Sequence, residues 1–444
     1  MKVFRYFIFI CVVFGVLTAI SHESFAVNTY KKETLPNGLT VLIKHNPDSK
    51  VFAINVLAKG RSILEPSDKA GISEIVNRML IKGAGDYTAA ELARAFDMHG
   101  VKLTLHDNPY IPYDDRYTSR DFAFIKMETI DEYATGAVDL LSIMISKPTF
   151  PVNEVEDVRR AIMGILGMNK GSTYKTARNL FYSEMFEGTS YDKEILGSMR
   201  TIGSITKEDI EDFYKILYAP ENLIIAVVSN IPIDRCSQMI TEAFGNMQSS
   251  GYEYPEYPVL QPVKKIVKTH QKMDKDQVYI YLGNIVPGLG DPDYPALVIG
   301  SSALSTRLGL ELREKQGLAY SVGAGLGSYP GFGMFYCVMG TGYQNYNKSL
   351  RGIKGEIGKI RSEGITEKER DNIVNSLWGS MLTRNLSRAN QAYYMAAYEY
   401  LGVGYQYWDQ FIDDLRKVTV REVQLTAEKY FPENSYILAT VGKK

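Results

Sequence analysis

The stretch ITKEDIEDFYKILYAPENLIIAVVSN (residues 205–230) is matched about 212 residues downstream by VTVREVQLTAEKYFPENSYILATVGK (418–443). Each opens with a threonine before a helical pattern, passes through Pro-Glu-Asn and enters an apolar run of strand character. Repeat arrays recur every 20 to 50 residues or so, so a period this long is a duplication of whole domains. The halves also begin alike. LTVLIKH (39–45) and VFAINVLAK (51–59) precede the first long helix, and KKIVKTH (264–270) and QVYIYLGNIV (277–286) precede YPALVIGSSALSTRLGLELREK (294–315). Strands and helices mix without regular alternation, which predicts an α+β fold: two homologous domains, each a mostly antiparallel sheet with helices packed on one face.

Between the repeats, NMQSSGYEYPEYPVLQPV (246–263) has neither helical nor strand periodicity and reads as a linker. The predicted domains are therefore 27–245 and 264–444. Residues 1–26 read as a signal peptide: Lys2 and Arg5 precede the apolar run FIFICVVFGVLTAI, and Ser24-Phe25-Ala26 forms a small-x-small cleavage site. The expected product is exported, periplasmic or secreted, because no later apolar segment reaches the ~20 residues that span a bilayer. A formal net charge of −1 disfavours a nucleic-acid partner, which a strong basic excess would mark. After cleavage only Cys236 and Cys337 remain. They fall in a helical and a strand pattern, one in each half, and give no disulfide framework, while a single bridge between them stays open in an oxidising compartment.

The first long helix of the N-terminal half is AGISEIVNRMLIKGAG (70–85). Ile72, Ile75, Val76, Met79 and Leu80 make one apolar stripe, which groups Ser73, Glu74, Asn77 and Arg78 on the other flank. Together with LPNGLTVLI (35–43), PTFPVNEVEDVRR (148–160) and STRLGLELREKQGLAYSVGA (305–324), it resembles the M16 metallopeptidases, the family of insulin-degrading enzyme, pitrilysin and mitochondrial processing peptidase. The similarity runs over nearly all of the mature chain. In active members this helix reads approximately G-x-A-H-x-x-E-H-M-x-F-K-G-T, with two histidines for zinc and a glutamate that activates water.

Here the frame over 71–83 is kept and the chemistry is replaced. Glu74 stands at the first histidine position, Asn77 at the glutamate and Arg78 at the second histidine. An amide is no base, and a guanidinium has five donors and no lone pair to offer a metal. The family's third ligand, a glutamate some 75 residues on, would fall near RRAIMGILGMNK (159–170), yet no acid occurs between Asp157 and Glu184. Glu154 and Glu156 belong to the first turn of that helix, where acids suit the helix dipole. His45, His99, His106 and His270 form no helical pair. No metal and no cofactor are expected in this chain. Glu74 and Arg78 are instead expected to form an i,i+4 ion pair.

The resemblance implies one retained device. LREKQGLAY (312–320) carries Arg313 and Tyr320, the pair that in M16 enzymes faces the zinc helix across a closed chamber, holds substrate backbone and stabilises the tetrahedral intermediate. A chain with this pair and without zinc ligands is expected to be inactive alone. The implied function is a non-catalytic subunit of a heterodimer, with zinc in an M16 partner and a peptide as substrate. The alternative is a peptide-binding or scaffold protein with no peptidase role. Two further stretches read as architecture: GAGLGSYPGFG (323–333) as a hairpin, and the tyrosine-rich NQAYYMAAYEYLGVGYQYW (390–408) as a packed helix face that could also line a peptide cavity.

Overall fold

The computed structural model describes residues 29–106 and 119–443; the signal-peptide expectation falls outside them. The N-terminal half builds a six-stranded sheet from β1 (Thr29–Thr34), β2 (Thr40–His45), β3 (Val51–Lys59), β4 (Lys102–Thr104), β5 (Phe122–Ile130) and β6 (Leu223–Ser229), in the order β1-β2-β6-β3-β5-β4. The C-terminal half builds a five-stranded sheet from β7 (Ile266–Lys272), β8 (Gln277–Val286), β9 (Ala319–Tyr329), β10 (Phe332–Gly342) and β11 (Tyr436–Gly442), in the order β7-β11-β8-β10-β9. Taking β2 as the counterpart of β7 and going on in chain order, the two orders coincide, including the single parallel pair (β2/β6 and β7/β11). Only β1 is extra. The duplication in sequence is thus a duplication of topology.

The repeated segments form equivalent parts. Helices α4 (Lys207–Leu217) and α7 (Val420–Tyr430) are capped by Thr206 and Thr419, each in a capping box, with Asp209 and Glu422 reaching back. The tyrosine that precedes each Pro-Glu-Asn is also reused. The Tyr218 hydroxyl donates to Asn77 in the opening helix α1 (Ile72–Met79), and the Tyr430 hydroxyl donates to Asp293, the residue just before the equivalent helix α5 (Tyr294–Leu308).

The central strands are buried almost throughout and mostly apolar because both sheet faces are covered, with Asn55 and Asn284 as buried polar exceptions. Along β6, Leu223, Ile225 and Val227 pack with the helices of their own half, while Ile224, Ala226 and Val228 face the other way. Here the structure adds to the sequence reading. The second face is covered by a helix of the opposite half, and the exchange is reciprocal. Helix α6 (Arg388–Tyr400) lays Ala392, Tyr393, Ala396 and Tyr400 on β3, β5 and β6. Helix α3 (Thr173–Met185) lays Ala177, Phe181 and Met185 on β8 and β11. The tyrosine-rich stretch is therefore mostly packing, with Tyr394 stacked on Trp408 at 5.7 Å.

The seam between the halves also carries polar contacts, among them Arg388 donating to the Asn46 carbonyl and a cluster around Asp121. The Asp121 carbonyl accepts hydrogen bonds from Gly60 N, Arg61 N and the hydroxyl of Tyr400. Its buried carboxyl is met by the Ser119 hydroxyl, and burial outweighs that bond and neighbouring Arg120, raising its pKa to about 6. The glycine-rich stretch is the β9/β10 hairpin, turning at Gly331 with φ +81°. Cys236 and Cys337 are both buried and free, and residues 247–263 carry no helix or strand.

Candidate functional site

Helix α1 starts at Gly71, whose φ of +92° and close approach to the Leu196 carbonyl leave no room for a side chain. The buried carboxylate of Glu65 takes the place of a capping side chain, accepting from Gly71 N at 3.0 Å and Ser73 N at 3.1 Å. Anion and helix N-terminus thus satisfy one another. The helix ends at Met79 and passes into a 3₁₀ turn, Leu80–Lys82, so the expected 71–83 span is an eight-residue α-helix with a tightened end.

The expected Glu74–Arg78 pair forms, with Nε to Oε1 at 2.7 Å, but it is part of a larger unit. The second carboxylate oxygen of Glu74 is held by Arg61 at 2.5 Å, and both partners are almost wholly buried. Burial alone would raise the Glu74 pKa. Arg61, Arg78 and His106 override it and hold the carboxyl at about 2. Asn77 is equally engaged: its amide donates to Leu105 O at 2.5 Å and its carbonyl accepts from Tyr218.

These residues do not fit zinc. Both oxygens of Glu74 are bound to guanidiniums, Asn77 uses both ends of its amide, and Arg78 brings a fixed positive charge. The helix that would carry a third ligand, α2 (Val152–Lys170), turns Val155, Val158, Ile162 and Leu166 into the same apolar cluster as Ile72, Ile75 and Val76. Of the two acids near its start, Glu154 in the first turn pairs with Lys82 at 3.0 Å, and Glu156, just beyond that turn, pairs with Arg159. His99 and His270 are bound to Ala95 O and Thr440 Oγ1. Among the described residues, no three His, Cys, Asp or Glu converge as a metal site.

Arg313 and Tyr320 lie in the other half, and each sits on an irregularity of the backbone. Arg313 is within Gly309–Lys315, where α5 loosens into a π-helical turn that buries Leu312 and leaves the guanidinium exposed. Among the described residues its ion-pair partner is neighbouring Glu314, at a loose 3.3 Å. Tyr320 is the extra residue of a β-bulge: Ala319 faces Thr341, Ser321 faces Gly340, and the ring between them is 83% exposed. Among the described residues, no hydrogen bond or ion pair joins either to Glu74, Asn77 or Arg78. Sequence reasoning missed Arg61, Glu65 and Tyr218. Only Tyr218 carried a signal, as the tyrosine repeated at 430.

Comparison with known proteins agrees with this anatomy. Residues 40–198 match the family model described as Insulinase (Peptidase family M16), and 204–377 match Peptidase M16 inactive domain. The chain is 25% identical over 420 residues to an uncharacterized zinc protease, YmxG, of Bacillus subtilis, covering 93% of this chain and 98% of that one. It is 22% identical over 403 residues to a non-peptidase homolog of Helicobacter pylori, covering 88% and 89%. Its fold matches the crystal structure of a peptidase M16 inactive domain from Pseudomonas fluorescens, with TM-score 0.85, 20% identity and coverage of 94% and 98%. With two family domains in order, a shared architecture and a zinc helix whose ligand positions are closed by ion pairs and amide bonds, the chain belongs to the M16 peptidase family as a member without the metal-binding motif.

Proposed function

We propose that the chain is the zinc-less subunit of an exported two-chain M16 peptidase, lending Arg313 and Tyr320 to peptides held by a zinc-bearing partner. The observation that carries this reading is a contrast. The former metal positions are locked by Arg61 and Tyr218, whereas Arg313 and Tyr320 are turned to solvent by a π-turn and a bulge, irregularities that often mark functional positions. A tyrosine hydroxyl and a guanidinium can both donate to the oxygen of a peptide carbonyl as negative charge develops on it. In open water such donation is worth little, so a partner must close over Tyr320 before it counts.

The strand that carries Tyr320 favours the same reading. β9 is an edge of its sheet, and its eleven residues, AYSVGAGLGSY, include no charge. Such an edge offers backbone donors and acceptors to an extended peptide, which adds to the sheet as a further strand. Export rests on the leader at 1–26, and no described helix is long and apolar enough to cross a membrane.

The test is to purify the chain alone and with its co-expressed partner. Alone, it is expected to hold no stoichiometric zinc and to hydrolyse no peptide. In the complex, Tyr320→Phe should lower turnover by roughly 10²–10³, the usual loss for one oxyanion donor, with assembly intact. Arg313→Ala should in addition weaken substrate binding. Full activity in both variants would make the pair architectural and favour a scaffold role.

A further inference from the structure

Behind the degenerate helix lies a cavity of about 740 Å³, within the size range of ligand pockets. It is walled by the end of α2, one face of α3, residues 194–200 and Gln271 of β7, so both halves contribute. It borders the former metal position: the Ile195 carbonyl that accepts from Arg61 belongs to a lining residue. Among the described residues its charged lining is mostly basic, with Arg120, Lys170 and Arg200 beside Glu194; Lys175 and Arg178 line it too but are engaged with partners of their own.

Arg120 is the informative member. Its side chain is buried, the residue being only 4% exposed, and among the described residues no carboxylate forms an ion pair with it. Its Nη1 donates to the carbonyls of Tyr191 and Lys193, the guanidinium carbon lies 4.8 Å from the Tyr182 ring centre, and Nε is left without a hydrogen-bond partner. A buried cation with no carboxylate in direct contact is costly, and this one, with Glu194 and Asp121 acting on it only from further off, lines a cavity edged by further cations.

We infer that the cavity is a receptor for carboxylate side chains, so that the peptides bound by this chain are rich in aspartate or glutamate. The inference rests on the peptide-binding reading above and gives that reading a substrate class. A peptide lying near the degenerate helix would turn an acidic side chain toward Arg120, and the rim cations Lys170 and Arg200 would draw it in.

The test uses the whole mature chain and two labelled, end-blocked peptides of equal length, one alternating alanine with glutamate and one alternating alanine with glutamine, followed by fluorescence anisotropy. The glutamate peptide is expected to bind about tenfold or more tightly at low salt, and the preference should shrink as salt screens it. The double variant Lys170→Glu/Arg200→Glu changes exposed rim residues, so it should fold normally, lose most of the preference and keep its affinity for the glutamine peptide. Arg120→Gln should act in the same direction. Equal affinity for the two peptides would overturn the carboxylate receptor and leave the peptide-binding reading standing. Failure to bind either would overturn both. Citrate binding without peptide binding would reassign the cavity to a free anion and overturn the inference.

Discussion

Two buried carboxylates depart from their ordinary pKa in opposite directions, and their contributions to stability have opposite signs with pH. Glu74 is held at about 2, below its ordinary 4.5. Its charge therefore stabilises the fold at and above pH 4.5, and that contribution is lost as pH falls towards 2. Glu74→Gln leaves buried Arg61 without its directly paired carboxylate. It should cost about 3 kcal/mol at neutral pH, with the deficit shrinking through that window, as urea unfolding at several pH values would measure. Asp121 is raised to about 6 from 3.8, so its contribution is complete below pH 3.8 and lost as pH rises through 6. Asp121→Asn should stabilise the protein at pH 7 to 8 by a few kcal/mol and change little near pH 4. Stabilities that do not vary with pH in this way would show that Asp121 is solvated. The replacement of the zinc motif was legible at this scale, since Asn77 and Arg78 have no ligand chemistry to offer. What replaced it was not. Arg61 lies thirteen positions before Glu74, beyond any helical spacing, and meets it only because Arg61–Leu64 folds back over the helix.

Among the elements, the two exchanged helices carry most of the consequence. Phe181 of α3 is fully buried, with its ring 5.4 Å from that of Tyr281 in β8. Gly283 permits the approach, since a Cβ there would come within 2.8 Å of the phenylalanine ring. Phe181→Ala should cost roughly 3–5 kcal/mol by removing an aromatic side chain from a close-packed site. Because α3 belongs to one half and covers the sheet of the other, far-UV and tyrosine-fluorescence transitions should shift together. Separate transitions for the halves would argue that α3 is not a structural bond between them. The strands themselves were readable from the sequence, and LIIAVVS already announced burial on both faces. Which helix would supply the second cover was not readable, because an apolar stripe states that a face is buried and not against what. Nor was the bulge at Tyr320, since a single inserted residue leaves no mark on strand periodicity.

At the scale of the whole molecule, the duplication visible in two Pro-Glu-Asn segments predicted paired domains, and the structure turns that pair into one interlocked body. The interlock governs how the protein can be made. Roughly 170 residues separate Ser229, the last residue of the first sheet, from the end of α6, which covers that sheet. At the usual ~5–20 residues per second, a ribosome takes about 10–30 s to supply that cover. Throughout the interval Leu42, Leu57, Phe124 and Ile224 form a bare apolar face on a nascent chain. Such a chain needs a holding chaperone, or transport in unfolded form, until its own later half arrives. Synthesis that stops before Arg388 yields no usable half-protein, only a sheet with one sticky side, and quality control must clear it.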